Sequence, residues 1–203
     1  MQNSRFIIKK IERSDIDNVV VIHCASFQNF FLTLLGESFL KVYYNAFRKN
    51  KKAIMLGFFE NGNLIGFCAA TEKSAGFNSD FIISNFMLFA LQGIKLFFTN
   101  IGALVRLYYN SKKTNLEVKN EGQYAELFSI AVSPLKQNLG VGKLLLVEIE
   151  SELRLRKCKE IALTTDYESN EKTLKFYTKM GYKVMYEFEA YPKRKMYRLI
   201  KKL

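Results

Sequence analysis

The stretch Ser129-Ile-Ala-Val-Ser-Pro-Leu-Lys-Gln-Asn-Leu-Gly-Val-Gly-Lys143 decides the fold of this chain. An apolar strand leads through a short loop to two closely spaced glycines, Gly140 and Gly142, at which a helix begins. Because glycine has no Cβ, such a loop can adopt positive φ and bring backbone N–H groups close to a phosphate. The free amides and the positive dipole end of the helix favour negative charge at the same place. The stretch therefore predicts an anion-binding loop and a ligand that carries phosphates.

Two common phosphate loops do not fit this stretch. A nucleoside-triphosphate P-loop requires glycine at position 137 and Ser or Thr at position 144, where this chain has Gln137 and Leu144. A dinucleotide fingerprint requires a small residue in place of Leu145. The remaining pattern is Gln137-x-x-Gly140-x-Gly142, preceded by a strand.

A second segment follows about thirty residues later, Asn170-Glu-Lys-Thr-Leu-Lys-Phe-Tyr177-Thr-Lys-Met-Gly181-Tyr182. Its spacing predicts a helix that carries Tyr177 on an apolar face. Gly181 is expected to end this helix by adopting the left-handed conformation. Taken alone, Asn170 is typical of a helix N-cap and Tyr177 of a half-buried side chain.

Together the two segments resemble the acetyl-coenzyme A (acetyl-CoA) site of the GNAT superfamily of N-acetyltransferases. The resemblance implies an α/β fold, with a mixed sheet of about seven strands flanked by helices. It implies that the loop binds the pyrophosphate of the coenzyme, that Asn170 contacts its pantetheine arm and that Tyr177 donates a proton. The residues implied to hold the coenzyme are Ile130, Ala131, Val132, Gln137, Asn138, Leu139, Gly140, Val141, Gly142, Lys143 and Asn170.

Acetyl transfer requires a neutral amine, a polarised thioester carbonyl and a proton for the departing thiolate. A phenol has a reference pKa of about 10, so Tyr177 is protonated at neutral pH and is the best proton donor. A backbone N–H near Ala131 or Val132 is the candidate that polarises the carbonyl. Glu126 is the candidate base, because it lies on the same strand, with an exposed strand-end carboxylate as the equal alternative.

The acceptor end is expected to include the first helix and the aromatic run after it. His23 lies on the apolar face of that helix, where a core histidine is the favoured interpretation and a place in the substrate pocket is the alternative. Phe27, Phe30 and Phe31 are further candidates for the pocket.

The other periodic segments complete one domain over residues 1–203. An Asn61-Gly62 turn predicts a β-hairpin, and the central strand, helix and strand predict a right-handed parallel unit. The expected strands are 5–11, 53–60, 63–71, 125–132, 161–165, 183–189 and 195–201, and the expected helices include 37–48, 142–157 and 170–180.

An apolar insertion at about residues 79–112 separates the third and fourth strands. Its spacing predicts two helices with a break near Gln92-Gly93. Between Phe81 and Val105 the only charge is Lys95, which would cost about 2.5 to 3.5 kcal/mol at the centre of a bilayer and therefore disfavours a membrane span. The insertion is expected to cover the acceptor cleft, with a homodimer interface and contact with a membrane surface as the alternatives.

Composition limits the remaining classes of function. The 203 residues have three scattered cysteines and one histidine, which suggests neither a disulfide framework nor a metal site. The N-terminal residues lack a secretory signal, so we expect a cytoplasmic protein, with peripheral membrane contact left open.

The net charge of +12 fits solubility, an anionic surface or an anionic acceptor. An anionic small molecule with an amine, such as a nucleotide-linked amino sugar, is the favoured acceptor. The competing class is a non-catalytic CoA-binding or membrane-surface interaction protein with the same fold. Nucleic acid is disfavoured, because the basic residues are not interleaved with aromatic residues on a predicted platform.

Overall fold

The computed structural model describes residues 5–28, 30–102, 105, 109, 121–190 and 193–203. Their strands form a seven-stranded mixed sheet in the order β1-β2-β3-β4-β5-β7-β6. The strands are β1 Phe6–Lys10, β2 Ala53–Glu60, β3 Asn63–Thr71, β4 Ala125–Val132, β5 Glu160–Asp166, β6 Lys183–Ala190 and β7 Arg194–Lys202. The helices are α1 Ile16–Ser26, α2 Phe31–Leu34, α3 Glu37–Lys49, α4 Phe77–Ser84, α5 Phe86–Thr99, α6 Val141–Leu155 and α7 Glu171–Lys179. The fold class predicted from the sequence is confirmed.

Local signals explain the centre of the sheet. Asn61 and Gly62 have φ of 50° and 84°, as a tight turn between antiparallel strands requires. Strand β4 pairs antiparallel with β3 and parallel with β5, and α6 makes the crossover between β4 and β5. The predicted strand–helix–strand unit is therefore present.

The central strands of the sheet are buried on both faces. Along β2, Ile54, Leu56 and Phe58 belong to one apolar cluster, whereas Met55 and Phe59 belong to another, because successive side chains point to opposite faces of a strand. The first cluster includes the inner face of α6, and the second includes residues of α1 and α3. These two helical layers fix the sheet from both sides.

The insertion is helical, but its break differs from the prediction. Helices α4 and α5 meet at Asn85, and Gln92 and Gly93 lie inside α5. The Asn85 side chain donates a hydrogen bond of 2.9 Å to the carbonyl oxygen of Phe81, so it satisfies the end of α4, while a helix tolerates an internal glycine at modest cost. Most of the predicted second helix beyond position 102 lies outside the described residues.

The insertion packs with one side and exposes the other. Phe77 and Phe81 of α4 join the core beside α3, and Leu96 of α5 packs against Leu35 and Phe39. The outer apolar side chains are exposed, and they include Ile83, Phe86, Met87, Leu91, Ile94, Phe97, Phe98 and Ile101.

Length and composition limit which helices in the described part of the chain could cross a membrane. No individual helix there is long and apolar enough to cross a membrane. Phe77–Ser84 and Phe86–Phe98 meet the criterion only as a pair, which is bent by 86°.

We expect the two sides of α5 to respond differently to truncation. Leu96→Ala should lower the free energy of unfolding by about 2 to 5 kcal/mol, because it empties a packed site. Phe98→Ala should change it by less than about 0.5 kcal/mol, because this side chain is 80% exposed. Urea denaturation of both variants is the measurement, and equal losses would show that a partner surface covers Phe98 in solution.

Candidate active site

Strands β4 and β5 separate part-way along their length. Their parallel pairing covers only Ala125–Leu127 opposite Ile161–Leu163, although β4 continues to Val132 and β5 to Asp166. The pairing with β3 is irregular between Ala69 and Ala70, so β4 bends at the same place. The last residues of β4 therefore face β5 without pairing with it.

A cavity of about 760 Å³ occupies this gap. Its walls come from both separated strands, from the end of α1 and the loop after it, from α7 and from the β6–β7 hairpin. The predicted site residues that line it are His23, Phe27, Phe30, Phe31, Ile130, Ala131, Val132, Gln137, Asn170 and Tyr177. The structure thus brings together residues that are far apart in sequence.

The predicted phosphate loop lies next to the cavity wall formed by Val132 and Gln137. Gly140 has φ of 79° and directly precedes α6, whose first turn includes a 3.1 Å hydrogen bond from the Leu144 N–H to the Gly140 carbonyl oxygen. The amides of residues 141–143 precede that bond, so they are donors available to an anion. Asn138 also has positive φ, 65°.

Gly142 has a different role from the one predicted. It lies inside α6 with helical geometry, so the loop does not need its freedom to adopt positive φ. A Cβ at this position would meet only the Cγ2 atom of Val132, at 3.8 Å. The space beside Gly142 is therefore open. Contact of Gln137, Asn138, Leu139, Gly140, Val141, Gly142 and Lys143 with a coenzyme stays a prediction.

Helix α7 brings Asn170 and Tyr177 to the same cavity. The Asn170 side-chain amide donates bonds of 2.7 Å to Thr165 Oγ1 and to the Asp166 carbonyl oxygen, and so fastens the helix to the end of β5. Tyr177 is buried, with Phe176 and Tyr182 at ring-centroid distances of 5.1 and 5.4 Å. Burial raises the pKa of the Tyr177 phenol, so the hydroxyl keeps its proton at neutral pH.

His23 is buried at the opposite wall. Its Nδ1 atom lies 2.7 Å from Tyr44 Oη, which is in turn 3.2 Å from Ser129 Oγ on β4. Burial lowers the pKa of His23 from 6.5 to about 4, so the imidazole is neutral at physiological pH. The sequence allowed a core histidine or a histidine of the substrate pocket. His23 is buried like a core residue, and it also lines the cavity.

Aromatic rings line one part of the cavity. Phe27, Phe30 and Phe31 approach from the α1–α2 segment, and Phe128 and Phe188 from the sheet. Two further lining residues, Arg194 and Asp166, form an ion pair, and the Arg194 guanidinium lies 4.5 Å from the Phe30 ring centroid. The sequence analysis did not identify this pair, since no local pattern links positions on β5 and β7.

Glu126 is the candidate whose position the structure contradicts. Its carboxylate forms an ion pair with Arg198 and accepts a hydrogen bond from the Ser74 hydroxyl, and it does not line the cavity. Arg198 is only 5% exposed. The physical reason is that a buried guanidinium requires a counter-ion, and the Glu126 carboxylate supplies it.

We therefore expect Glu126→Gln to act on stability. Leaving the buried Arg198 charge without its partner should cost about 3 to 5 kcal/mol of unfolding free energy, measured by urea denaturation. The surface pair Lys41–Asp17, with exposed side chains, provides the control, because Asp17→Asn should cost less than about 1 kcal/mol. Equal losses in the two variants would contradict a buried structural role.

The comparison with known families agrees with this geometry. The model of the family described as "Acetyltransferase (GNAT) family" matches residues 19–182. The chain belongs to the GNAT acetyltransferase family. The match extends from α1 to the end of the α7 segment, and it therefore includes the loop at Gly140 and the helix with Tyr177. No curated protein matches this GNAT acetyltransferase at a significant level.

Solved structures show the same fold. The ribosomal-protein-S18-alanine N-acetyltransferase from Escherichia coli is 15% identical, with a TM-score of 0.62 over 98% of this chain and 94% of that chain. An N-acetyltransferase from Staphylococcus aureus Mu50 is 13% identical, with a TM-score of 0.64 over 98% and 99%. The PaiA N-acetyltransferase from Thermoplasma acidophilum, in complex with coenzyme A, is 16% identical, with a TM-score of 0.55 over 98% and 99%. At these low sequence identities, the similarity to the solved structures shows the fold of this GNAT acetyltransferase and not its acceptor.

Proposed function

We propose that this protein transfers the acetyl group of acetyl-CoA to an amine acceptor. The observation that carries the proposal is the cavity between the separated strands β4 and β5, which has the Gly140 loop beside it and Tyr177 in its wall. A phosphate-bearing donor fits the loop, because positive φ at Asn138 and Gly140 and the start of α6 present backbone amides together.

The unpaired part of β4 suits the extended arm of such a donor. Beyond Leu127, this strand has no partner on β5, so its backbone can bind a ligand as an exposed strand edge binds a peptide. An N–H near Ala131 or Val132 then polarises the thioester carbonyl. The arm enters beside Asn170, and its sulfur approaches Tyr177, which supplies the proton that the thiolate needs.

The acceptor proposal rests on charge and on the aromatic wall. The net charge of +12 attracts anions, and the rings of Phe27, Phe30 and Phe128 offer flat surfaces to an apolar or ring-shaped acceptor. We therefore propose an anionic small molecule with a primary amine, such as a nucleotide-linked amino sugar. Asp166 already neutralises Arg194, so the anionic preference rests on the basic surface.

An acceptor screen tests this proposal. The purified protein is mixed with acetyl-CoA and with separate pools of nucleotide-linked amino sugars, free amino sugars, polyamines, amino acids and N-terminal peptides, and released thiol is followed. Release only with a nucleotide-linked amino sugar is the expected result. Thiol release only with peptides would contradict the proposed acceptor but not the proposed acetyl transfer. If the protein does not bind acetyl-CoA in calorimetry, the proposed acetyl transfer is wrong.

A further inference from the structure

The imidazole of His23 has one nitrogen in the protein's hydrogen-bond network and one outside it. Nδ1 lies 2.7 Å from Tyr44 Oη. Nε2 is buried, and among the residues that the structure describes it has no hydrogen-bond partner. A buried polar atom without a partner costs free energy, and such atoms are uncommon in folded proteins. Because His23 lines the cavity, a ligand atom can be the partner of Nε2 after a small shift of the side chains that cover this atom.

The neighbours of Nδ1 bear on which nitrogen carries the proton. Tyr44 Oη lies 3.2 Å from Ser129 Oγ, and either hydroxyl of this pair can donate to the other. When Tyr44 donates its one proton to Ser129, its oxygen accepts from Nδ1–H and Nε2 keeps a free lone pair. This is the tautomer that a base at Nε2 requires. Tyr44 and Ser129 lie on α3 and β4, and both are buried, so the core holds this arrangement in place.

The carboxylates in or near the cavity are less suited to accept a proton. Glu126 and Asp166 each form an ion pair with an arginine. Glu189 lines the cavity from β6, but it is exposed to solvent. Among the described residues that line the cavity, His23 combines a buried position, a neutral state and an unpartnered ring nitrogen, and its ring lies 4.9 Å from that of Phe27 in the aromatic wall.

We propose that His23 Nε2 is the general base of the reaction, and this rests on the proposed function. The nitrogen of a neutral amine attacks the thioester carbon and forms the new C–N bond. One N–H bond of that nitrogen breaks, and its proton goes to Nε2 to give an imidazolium. The C–S bond breaks, and the departing sulfur takes the proton of the Tyr177 hydroxyl. Water returns the proton from the imidazolium to the Tyr177 phenolate, so the products are an amide and free CoA thiol.

Nitrogen NMR of the untagged protein tests the tautomer without any acceptor. The chain has one histidine, so its two ring-nitrogen signals need no assignment to a residue, and their couplings to the ring protons distinguish Nδ1 from Nε2. The expected result at neutral pH is a protonated Nδ1 and an unprotonated Nε2. Tyr44→Phe should remove that preference, because it removes the acceptor for the Nδ1 proton. A wild-type imidazole protonated at Nε2 would overturn the proposal, because that atom could accept no proton.

Kinetics separate a base from a merely structural histidine. His23→Asn retains an amide near the position of Nδ1 that can bond Tyr44, and it lacks Nε2. With an amine found by the screen, single-turnover transfer should fall by about 10² to 10⁴, while the affinity for acetyl-CoA stays unchanged. Full activity in His23→Asn, or a larger loss in Glu189→Gln, would assign the proton to another group. If the wild-type protein does not bind acetyl-CoA, the proposed function is contradicted instead.

Discussion

Tyr177→Phe should lower the single-turnover rate of acetyl transfer by about 10² to 10⁴, with the affinity for acetyl-CoA nearly unchanged. The substitution keeps the ring between Phe176 and Tyr182 and removes only the hydroxyl. Because burial raises the pKa of that phenol, the wild-type group holds its proton until the thiolate forms. Rapid mixing of enzyme, acetyl-CoA and acceptor measures the rate, and calorimetry measures the affinity.

Tyr182→Phe is the matched control for this experiment. Its hydroxyl donates a 3.0 Å hydrogen bond to the buried Glu150 carboxylate, and Tyr182 does not line the cavity. The control variant should lose stability but keep its transfer rate. If a folded Tyr177→Phe variant has the same single-turnover rate as the wild type, the proton for the departing thiolate comes from water or from the acceptor.

Gly142→Asp should weaken coenzyme binding so far that the dissociation constant rises by at least about 100-fold. The side chain would extend into the open space beside the Gly140 loop, where an added carboxylate repels the pyrophosphate. A like-charge contact costs several kcal/mol, and 1.4 kcal/mol corresponds to a factor of ten. Calorimetric titration with acetyl-CoA is the measurement.

The position permits a clean set of controls. An added Cβ meets only Val132 Cγ2, at 3.8 Å, and the helical φ needs no glycine, so the variants should fold. Gly142→Asn adds the same volume without charge, and its smaller loss of affinity separates bulk from repulsion. By contrast, substitution of Gly140 would strain a left-handed residue. If folded Gly142→Asp binds acetyl-CoA with unchanged affinity, the pyrophosphate does not bind at this loop.

Local signals in the sequence predicted the elements that frame the site. The Asn61-Gly62 turn fixed the bounds of β2 and β3, and apolar alternation fixed those of β4. Gly181 has φ of 90°, as the predicted end of α7 requires. In these cases the pattern and the physical cause lie within a few residues of each other.

The polar partners of the site could not be predicted in the same way. Glu126 and Arg198 are 72 positions apart, and Asp166 and Arg194 are 28 apart. Both pairs depend on how strands β4, β5 and β7 are ordered, which periodicity does not reveal. Glu150 is a similar case, since its charge favours an exposed position, whereas it lies on the buried face of α6 with Leu146 and Leu153, where Tyr182 and Lys201 bind it.

The short pairing of β4 with β5 also sets the width of the sheet at the site. Only three residue pairs join β4 to β5, so the angle between the two strands beyond Leu127 determines how far apart their ends lie. Ser26 donates a 3.2 Å hydrogen bond to the Val132 carbonyl oxygen, which ties the helix of His23 to the β4 side. Tyr177 follows β5 in the chain and lies on the other side. The angle at this seam therefore sets the distance between His23 and Tyr177.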